Sequence, residues 1–344
     1  MNKKGIALAG NIIIDYHKEI DTYPCHSSLT TIRRVTSTPG GSVCNCGIDL
    51  ARIDPNLPVH AIGVVGADSA GDEVLKDLKN YPKIDCSHVA RLGETSFTDV
   101  LEDNLNHTRT FFHFRGSNSL LNADYFDFSR LEADILNVGY ILLLDGMDAK
   151  DSTYGTVLAR VLHDAQQHGI ATSIDIVSEE SDRYARLVPP ALRFTDYCII
   201  NELEASRTTG IAVRGKNGVL QVQNVRKACE CLKKMGVKRW VVIHSREGAF
   251  GLDEFGNWVV RTALDIPKEL IKGTTGAGDA FLAGTLYGAY CENTMQKAIE
   301  LGLAASGASL LHLSATEGVK NEKELRDLYN RTPNEIRPEI TDHL

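Results

Sequence analysis

Short, continuously apolar segments alternate with amphipathic segments along this chain of 344 residues, and this alternation constrains the fold more than any other feature. Helical patterns at about 70–80, 152–168 and 223–235 separate several apolar runs of strand length, which read GIALAG, VHAIGVVG, YILLLDG, ATSIDI, DYCIIN and RWVVIHS. Strands that are apolar on both faces are typical of a parallel sheet covered by helices on each side. The sequence therefore predicts an α/β fold with a doubly wound, mostly parallel central sheet.

Two segments interrupt this alternation. Residues 12–38 are polar and rich in threonine, and residues 95–115 place two β-prone runs around the turn-forming EDNLNH, which predicts a hairpin. Neither segment has a place in a parallel core, so we expect the two to form a small β-sheet that lies over one end of it as a lid. We expect one domain over residues 1–320, followed by a charged C-terminal tail over residues 321–344.

The composition argues against several classes of protein. The formal net charge of −8 is atypical of a protein that binds nucleic acid, which usually presents a basic surface. No run of about 18 apolar residues occurs, so no membrane-spanning helix is expected. The apolar run after the N-terminal MNKK is too brief for a secretion signal, and the cysteines form no C-x-x-C pair. These features favour a cytoplasmic protein with reduced thiols.

The segment KGTTGAGDAF, residues 272–281, carries the clearest chemical signal. Its glycines and threonines precede a run of small apolar residues, which predicts a turn that opens a helix. Unpaired N–H groups and the helix dipole favour an anion such as phosphate there. Asp279 would repel that anion, but it suits a general base that takes a proton from an attacking hydroxyl group. The segment matches neither the P-loop nor G-x-G-x-x-G, and taken alone it also fits an ordinary acidic residue at a helix start.

The stretch TTGAGDAFLAGTLYG resembles the C-terminal signature of the ribokinase-like (PfkB-type) carbohydrate kinases. Four further segments resemble elements of that family in the same order: PGGSVCNCGIDLARI at 39–53, IGVVGADSAGDEVL at 62–75, NELEA at 201–205 and AASGASLLHLSATEG at 304–318. The resemblance implies a three-layer αβα sandwich with a mostly parallel central sheet and a small β-sheet lid. It also implies the ATP-dependent phosphorylation of a hydroxyl group on a sugar or sugar-like substrate.

The resemblance assigns the chemistry to the glycine-rich turn and its surroundings. Asp279 would be the general base, and Gly276, Ala277 and Gly278 would form the anion hole for the transferring phosphoryl group. The expected contacts to ATP are Asn201, Ser245, Gly248, Thr275 and Ser306, together with Gly276 and Gly278. Glu204, three residues after Asn201, is the expected partner of hydrated Mg²⁺, which takes few protein ligands.

The sugar site is expected nearer the N-terminus. The resemblance assigns substrate contacts to Asn11, Asp15, Gly40, Gly41 and Asn45, with Asp279 at the reacting hydroxyl group. Glycine lets the backbone approach a small polyol, and asparagine offers both a donor and an acceptor to adjacent hydroxyl groups. Arg115 is a candidate partner for an anionic substrate group or a phosphate, because its guanidinium group can donate two hydrogen bonds at once. A surface arginine is the alternative for Arg115.

The sequence departs from the family pattern in two places. Members commonly carry aspartate at the position of Gly273, where the carboxylate helps to hold a monovalent cation, so we expect weak or absent activation by K⁺. The segment HSREG at 244–248 matches the nucleotide loop of the family only in part.

Two other functions stay open on the sequence alone. A nucleoside kinase, acting on a compound such as adenosine, needs an aromatic or apolar shelf for the base. Such a shelf could come from phenylalanines of the predicted hairpin that face the pocket, and the candidates are Phe97, Phe111, Phe112 and Phe114. A non-catalytic sugar-binding regulator on the same fold is disfavoured by the intact G-A-G-D motif. The family resemblance also allows a homodimer that pairs through the lid.

Overall fold

The structure is a computed structural model that describes residues 3–106 and 108–332. In chain order its strands are β1 Ile6–Gly10, β2 Ile13–Ile20, β3 Ile32–Gly40, β4 Val59–Val65, β5 Ile84–Arg91, β6 Phe97–Asp103, β7 Thr108–Phe114, β8 Ile135–Ile141, β9 Lys150–Asp151, β10 Gly155–Thr156, β11 Ala171–Ile176, β12 Tyr197–Asn201, β13 Trp240–Ser245, β14 Gly248–Leu252 and β15 Trp258–Thr262. Its helices are α1 Ser42–Ile53, α2 Ser69–Leu78, α3 Asp145–Asp148, α4 Val157–Gln167, α5 Tyr184–Leu192, α6 Glu202–Thr209, α7 Val222–Met235, α8 Ala277–Tyr290, α9 Met295–Ser309 and α10 Glu322–Arg331. Short 3₁₀ turns occupy Gly116–Leu120, Ala123–Tyr125 and Lys268–Leu270.

A nine-stranded sheet forms the centre of the molecule, in the order β15-β14-β13-β12-β11-β8-β1-β4-β5. In this spatial order, the seven strands from β13 to β5 are all parallel to their neighbours. At the other edge, β14 and β15 add two antiparallel strands. The strand order changes direction at β1, which has β4 on one side and β8 on the other. In open α/β sheets, ligands bind beyond the carboxyl ends of the strands around such a point.

Helices cover both faces of this sheet. On one face α1, α8 and α9 bury side chains such as Phe281 and Ile299, and on the other face α4, α5 and α7 bury side chains such as Leu162 and Val225. The apolar strands are thus enclosed on both sides, as their composition predicts. The result is a three-layer αβα sandwich.

A separate four-stranded sheet, in the order β3-β2-β6-β7, stands beside the carboxyl ends of the central strands. Its strands lie in the two segments that interrupt the alternation, except that β3 continues past residue 38 to Gly40, and β6 and β7 form the expected hairpin. The pairing of β2 with β6 is parallel, and the two outer pairings are antiparallel. Only two residues separate β1 from β2, and β3 leads directly into α1, so both connections fix this small sheet above β1.

Two element boundaries differ from the sequence predictions. The strand expected at YILLLDG is β8, which begins at Ile135 and ends at Ile141, because the apolar run continues into a buried loop. The helix expected from about 152 begins only at Val157, since Thr156 caps it by accepting a hydrogen bond from the backbone N–H of Ala159. Apolar periodicity alone does not separate a strand from the buried loop that follows it.

The predicted C-terminal tail is partly packed. Leu325 of α10 is fully buried in the apolar layer formed by α8 and α9, so the packed chain continues past residue 320. Residues 333–344 of the predicted tail lie outside the described residues. Within the described residues, no helix is both long enough and apolar enough to cross a membrane. All eight cysteines are free.

Candidate active site

Two cavities meet at the carboxyl ends of the central strands. The first, of about 430 Å³, lies between the small sheet, the central sheet and the start of α8. The second, of about 710 Å³, lies between α8, α9 and the end of β13. Four residues line both cavities, namely Ser178, Asn201, His244 and Gly278. Two joined cavities can bring two substrates together at their junction.

The glycine-rich turn begins α8 at this junction. Gly276 has a φ of +80°, and a Cβ atom there would lie 2.5 Å from the carbonyl oxygen of Ala315, so this position requires glycine. Ala277 and Gly278 form the first turn of the helix, where backbone N–H groups lack partners within the helix. Only a long hydrogen bond of 3.4 Å joins the N–H of Ala277 to the carbonyl of Thr274. The turn can therefore receive an anionic group.

Asp279 projects from the same turn into the first cavity and is only 8% exposed. Its Oδ1 accepts a hydrogen bond of 2.6 Å from the hydroxyl group of Tyr140, and its Oδ2 accepts one of 2.9 Å from Nδ2 of Asn45. Burial raises the pKa of Asp279, and these two hydrogen bonds oppose the rise. The carboxylate is thus fixed in orientation and keeps lone pairs that can accept a proton.

Asn11 lies directly after β1 and lines the first cavity. Its Oδ1 accepts a hydrogen bond of 2.7 Å from the backbone N–H of Tyr140. Its Nδ2 is buried and has no hydrogen-bond partner among the described residues. A buried donor without a partner costs about 1–3 kcal/mol, so a ligand oxygen is favoured at this position.

Two glycines make room for the polar groups of this cavity. Gly41 has a φ of +85°, and a Cβ atom there would lie 2.5 Å from the carbonyl oxygen of Asn11. A Cβ atom at Gly40 would lie 2.2 Å from Oδ2 of Asp15, which lines the cavity from β2. Burial raises the pKa of Asp15 to about 6. Of the predicted sugar contacts at the N-terminal signature, Gly41 and Asn45 line the first cavity, whereas Gly40 lies outside the lining and against Asp15.

One face of the small sheet covers the first cavity. Alternate residues of β2, β6 and β7 line it, namely Ile13, Asp15, His17, Thr98, Val100, Phe111 and His113. The strand register places Phe97 opposite Phe114 on the outer face, and Phe112 also lies on that face. Of the four phenylalanines that could form a shelf for a base, Phe111 alone faces the cavity.

Glu204 and Asp175 also line the first cavity, in addition to Asp15 and Asp279. Glu204 closes a capping box at the start of α6: its Oε2 accepts from the backbone N–H of Asn201, and its Oε1 accepts from Nδ2 of Asn201 and from the hydroxyl group of Ser178. Burial raises the pKa of Glu204 to about 7. Burial also raises the pKa of Asp175 far above its usual range, and the charges of Glu204 and Asp279 add to that rise. Four carboxylates around one cavity, with Asp15 included, favour the binding of a divalent cation.

The predicted nucleotide contacts are divided between the second cavity and its surroundings. Ser245 and Ser306 line the second cavity. Gly248 lies outside the lining and serves the strand pairing instead, because a Cβ atom there would lie 2.2 Å from the carbonyl oxygen of Arg261 on β15. Thr275 lines the first cavity, and its Oγ1 accepts a hydrogen bond of 2.5 Å from Arg109 on β7. This contact joins the small sheet to the glycine-rich turn.

Arg115 does not line either cavity. Its Nη1 donates hydrogen bonds of 2.8 Å to Asp145 and 2.9 Å to the carbonyl oxygen of Leu142. The contact of Arg115 with an anionic substrate group stays a prediction, and this placement does not favour it.

Four residues of the site were not predicted from the sequence, namely Tyr140, Asp175, Ser178 and His244. Tyr140 was read as the start of a strand, whereas it lies at the carboxyl end of β8, above the sheet. Asp175 and His244 lie at the ends of the correctly predicted strands β11 and β13, so their position was a usable signal. Burial lowers the pKa of His244 to about 4, which leaves its imidazole neutral at the junction of the cavities.

Comparisons with known proteins agree with this geometry. Residues 4–322 match the family described as pfkB family carbohydrate kinase. The chain is 24% identical over 320 residues to a 5-dehydro-2-deoxygluconokinase of Geobacillus thermodenitrificans (strain NG80-2), covering 90% of this chain and 88% of that protein. The solved structure of Arabidopsis thaliana ribokinase, complexed with ribose and ATP, is similar with a TM-score of 0.77 at 18% identity, covering 95% of this chain and 99% of that one. A ribokinase of Thermotoga maritima covers the same shares with a TM-score of 0.76 at 18% identity. These structures confirm the predicted fold class.

Proposed function

The chain belongs to the pfkB family of carbohydrate kinases, and from this premise we propose that it transfers the γ-phosphoryl group of ATP to a hydroxyl group of a neutral sugar, with Asp279 as the general base. Family membership makes the protein a phosphotransferase that acts on a sugar. The observation that carries the rest of the proposal is the position of Asp279. Its buried carboxylate is oriented by Tyr140 and Asn45 and lines the first cavity, one residue after Gly278, which lines both cavities.

The sugar occupies the first cavity and ATP the second in this proposal. Nδ2 of Asn11 donates to a sugar hydroxyl group, which gives this buried donor the partner it lacks. Asp279 accepts the proton of the attacking sugar hydroxyl group. The oxygen of that hydroxyl group bonds to the γ-phosphorus, while the bond between the γ-phosphorus and the oxygen that leaves with ADP breaks. The backbone N–H groups at Gly276 to Gly278 donate hydrogen bonds that stabilise the negative charge on the transferring phosphoryl group. The small sheet excludes water, which would otherwise compete as the acceptor.

The carboxylates of the first cavity fit a magnesium site. Glu204 and Asp175 would hold Mg²⁺ through its bound waters, since Mg²⁺ keeps several waters and takes few protein ligands. When bound, Mg²⁺ neutralises charge on the phosphate oxygens of the nucleotide. Burial raises the pKa of Glu204 to about 7, and a bound cation would oppose this rise because it favours the ionised carboxylate.

The lining of the first cavity favours a neutral substrate. Among the described residues that line it there is no lysine or arginine, and its polar side chains are those of asparagine, serine, threonine, tyrosine, histidine and the carboxylates. Burial lowers the pKa of His113, so this histidine is a weak partner for a substrate anion. A sugar acid would face Asp15, Asp175 and Asp279 without a fixed cation. Hydroxyl groups suit these donors and acceptors better.

A substrate screen tests the proposal. ADP release with Mg·ATP should be measured over neutral sugars, sugar acids and nucleosides, with the Asp279→Asn variant as the control for background ATP hydrolysis. We expect the highest kcat/KM for a neutral sugar and the loss of that activity in the variant. Preference for a sugar acid or a nucleoside would contradict the substrate assignment but not the kinase chemistry. Sugar binding without ADP release over the whole set would favour a non-catalytic regulator.

We also propose that the protein pairs with a second copy through the outer face of the small sheet. Phe112 and Phe114 on that face are 51% and 40% exposed, and the ring of Phe114 lies 5.2 Å from that of Phe97. A cluster of exposed aromatic rings on one sheet face is typical of a contact surface.

A further inference from the structure

Two histidines and an aspartate come together on the edge of the central sheet, away from both cavities. His60 lies near the start of β4, and Asp85 and His88 lie on the neighbouring edge strand β5. One ligand atom from each of the three side chains lies within 4.8 Å of the other two. None of the three lines either cavity of the candidate active site.

An irregularity in strand pairing creates this cluster. His60 pairs with Asp85 and Ile62 pairs with His88, so two steps along β4 correspond to three steps along β5. In a regular strand, residues three apart point to opposite faces of the sheet. The extra residue in β5 instead brings Asp85 and His88 to the same side as His60. Bulges commonly redirect a side chain in this way.

His60 has the hydrogen-bonding pattern of a metal ligand. Its Nε2 lies 3.5 Å from the carbonyl oxygen of Lys4, which can accept only if Nε2 carries the proton. Nδ1 then presents its lone pair, and this atom is buried without a hydrogen-bond partner among the described residues. The atom that faces it is Oδ2 of Asp85, at 3.6 Å. Two electron-pair donors that face each other in this way are stabilised by a cation between them, and metal-bound histidines typically donate their other N–H to a carbonyl group.

Asp85 is fixed in an orientation that suits the same role. Its Oδ1 accepts a hydrogen bond of 2.8 Å from the backbone N–H of Ser87, and its Oδ2 accepts one of 2.9 Å from the hydroxyl group of Ser87. Each carboxylate oxygen keeps a further lone pair for a metal ion. Asp127 lies near enough to His88 for their charges to interact, which makes this part of the surface more favourable for a cation.

We propose that His60, Asp85 and His88 form a binding site for a divalent transition-metal ion, with Zn²⁺ as the ion that fits best. Two imidazoles and one carboxylate suit zinc and similar metals, whereas Mg²⁺ prefers oxygen ligands. Ligand atoms around tetrahedral zinc lie about 3.4 Å apart, as follows from bonds of about 2.0–2.1 Å. Oδ2 of Asp85 lies 3.6 Å from Nδ1 of His60, close to that separation, and 46% of the Asp85 side chain is exposed. Water completes the coordination on the exposed side.

The bound metal joins the edge strand to the rest of the sheet. The sheet order places β5 at its end, with β4 as its neighbour, and the three ligands span these two strands. His60 pairs with Ala7 in β1, whereas the active-site residue Asn11 lies four residues further along that segment, about 13 Å at the rise of a strand. The site is therefore separate from the proposed magnesium site at Glu204, and its main effect is on stability.

Competition with a chromogenic zinc chelator tests the proposal. The full-length protein should be stripped with EDTA and titrated with Zn²⁺ as wild type and as His60→Gln, His88→Gln and Asp85→Asn. His168→Gln is the matched control, because His168 is an exposed histidine outside the cluster. We expect one zinc equivalent in the wild type and in the control, and an affinity at least about tenfold weaker in the three variants. Zinc should raise the thermal midpoint of the wild type and of the His168→Gln control, but not that of the three cluster variants. Unchanged phosphoryl transfer with Mg·ATP shows that the variants fold.

A Co²⁺ spectrum separates this site from the eight free cysteines. Binding to His60, Asp85 and His88 gives visible bands without thiolate charge-transfer bands in the near ultraviolet, and these visible bands disappear in His60→Gln. Zinc affinity that is the same in the cluster variants as in the wild type would overturn the proposal. Thiolate charge-transfer bands that persist in those variants would also overturn the proposal, because they would place the metal ion at cysteine side chains.

Discussion

The hydroxyl group of Tyr140 donates a hydrogen bond of 2.6 Å to Oδ1 of Asp279, and this contact links the carboxyl end of β8 to the first turn of α8. Burial raises the pKa of Asp279, and the hydrogen bond from Tyr140 is the largest influence that lowers it. Burial also raises the pKa of Tyr140 far above its usual range, so the phenol keeps its proton and acts as a donor. The hydrogen bond therefore favours the ionised form of a buried carboxylate and directs it into the first cavity.

Replacing Tyr140 with phenylalanine tests this pairing. The Tyr140→Phe variant should raise the pKa of Asp279, because the ionised carboxylate loses a hydrogen bond. The acidic limb of the profile of kcat/KM against pH should move to higher pH. At neutral pH we expect kcat/KM to fall about tenfold, which corresponds to roughly 1.4 kcal/mol. Tyr154→Phe, a tyrosine outside both cavities, should leave the profile unchanged. An unshifted acidic limb in Tyr140→Phe would argue against a role for this hydrogen bond.

Asp279→Asn should abolish most phosphoryl transfer and leave the fold intact. Asparagine can still accept the hydrogen bond from Tyr140, but it cannot take a proton from the sugar. A lost general base typically costs about 10²–10⁴-fold in rate, and we expect kcat to fall by this factor while ATP still binds. Asp72→Asn is the matched control, since Asp72 is an exposed acid in the first turn of α2. Turnover near the wild-type rate in Asp279→Asn would mean that the acid only stabilises the helix start.

The strands and the glycine-rich turn could be predicted because their signals are local. Apolar runs identified the parallel sheet, and Gly276 and Asp279 belong to one short motif. Gly41 and Asn45 were also found within a single segment. The chain brings these segments to one cavity because each follows the carboxyl end of a strand or begins a helix there.

The missed residues depend on contacts between distant segments. Tyr140 reaches Asp279 across 139 positions of sequence, and nothing near either residue reports that contact. Glu204 was assigned to Mg²⁺ from its family position, whereas its capping box with Asn201 appears only in the folded chain. The outward placement of Phe112 follows from the register of β6 and β7, which the sequence of the hairpin did not determine.

Neutralising Asp175 should stabilise the metal-free protein and reduce its activity. Burial raises the folded-state pKa values of Asp175 and Glu204, so the native state holds more protons than the unfolded state. The free energy of unfolding therefore falls as pH rises, and for Glu204 the fall occurs between its ordinary pKa and about 7. Asp175→Asn removes one of the repelling charges. Its thermal midpoint at pH 8 without Mg²⁺ should exceed that of the wild type, with roughly 2 °C for each kcal/mol gained.

Calorimetry in EDTA measures this stability effect, and an ADP-release assay measures the loss of activity. Added Mg²⁺ should raise the midpoint of Asp175→Asn less than that of the wild type, because one anionic partner is gone. Asp124→Asn, a carboxylate outside both cavities, serves as the control. A lower midpoint for Asp175→Asn at pH 8 would show that the charge of Asp175 is compensated by groups within the protein.

Activity should be nearly independent of K⁺. Gly273 stands where the family commonly has an aspartate, so no side-chain oxygen is available at this position to hold a monovalent cation. A Cβ atom there would lie 3.1 Å from the carbonyl oxygen of His312, so the glycine also fits closely against the neighbouring chain. We expect similar kcat/KM in potassium chloride and in tetramethylammonium chloride at equal ionic strength. A many-fold stimulation by K⁺ would contradict this prediction.

The outer face of the small sheet should hold two copies of the protein together. Phe112 and Phe114 are exposed side by side on β7, and burial of these rings against a second copy would remove their apolar surface from water. The double variant Phe112→Asp and Phe114→Asp should therefore be monomeric by light scattering at concentrations where the wild type is dimeric. Phe255→Asp is the control, because Phe255 is 82% exposed in the turn between β14 and β15. A wild type that stays monomeric at tens of micromolar, or a dimer that survives both aspartates, would exclude this surface as the interface.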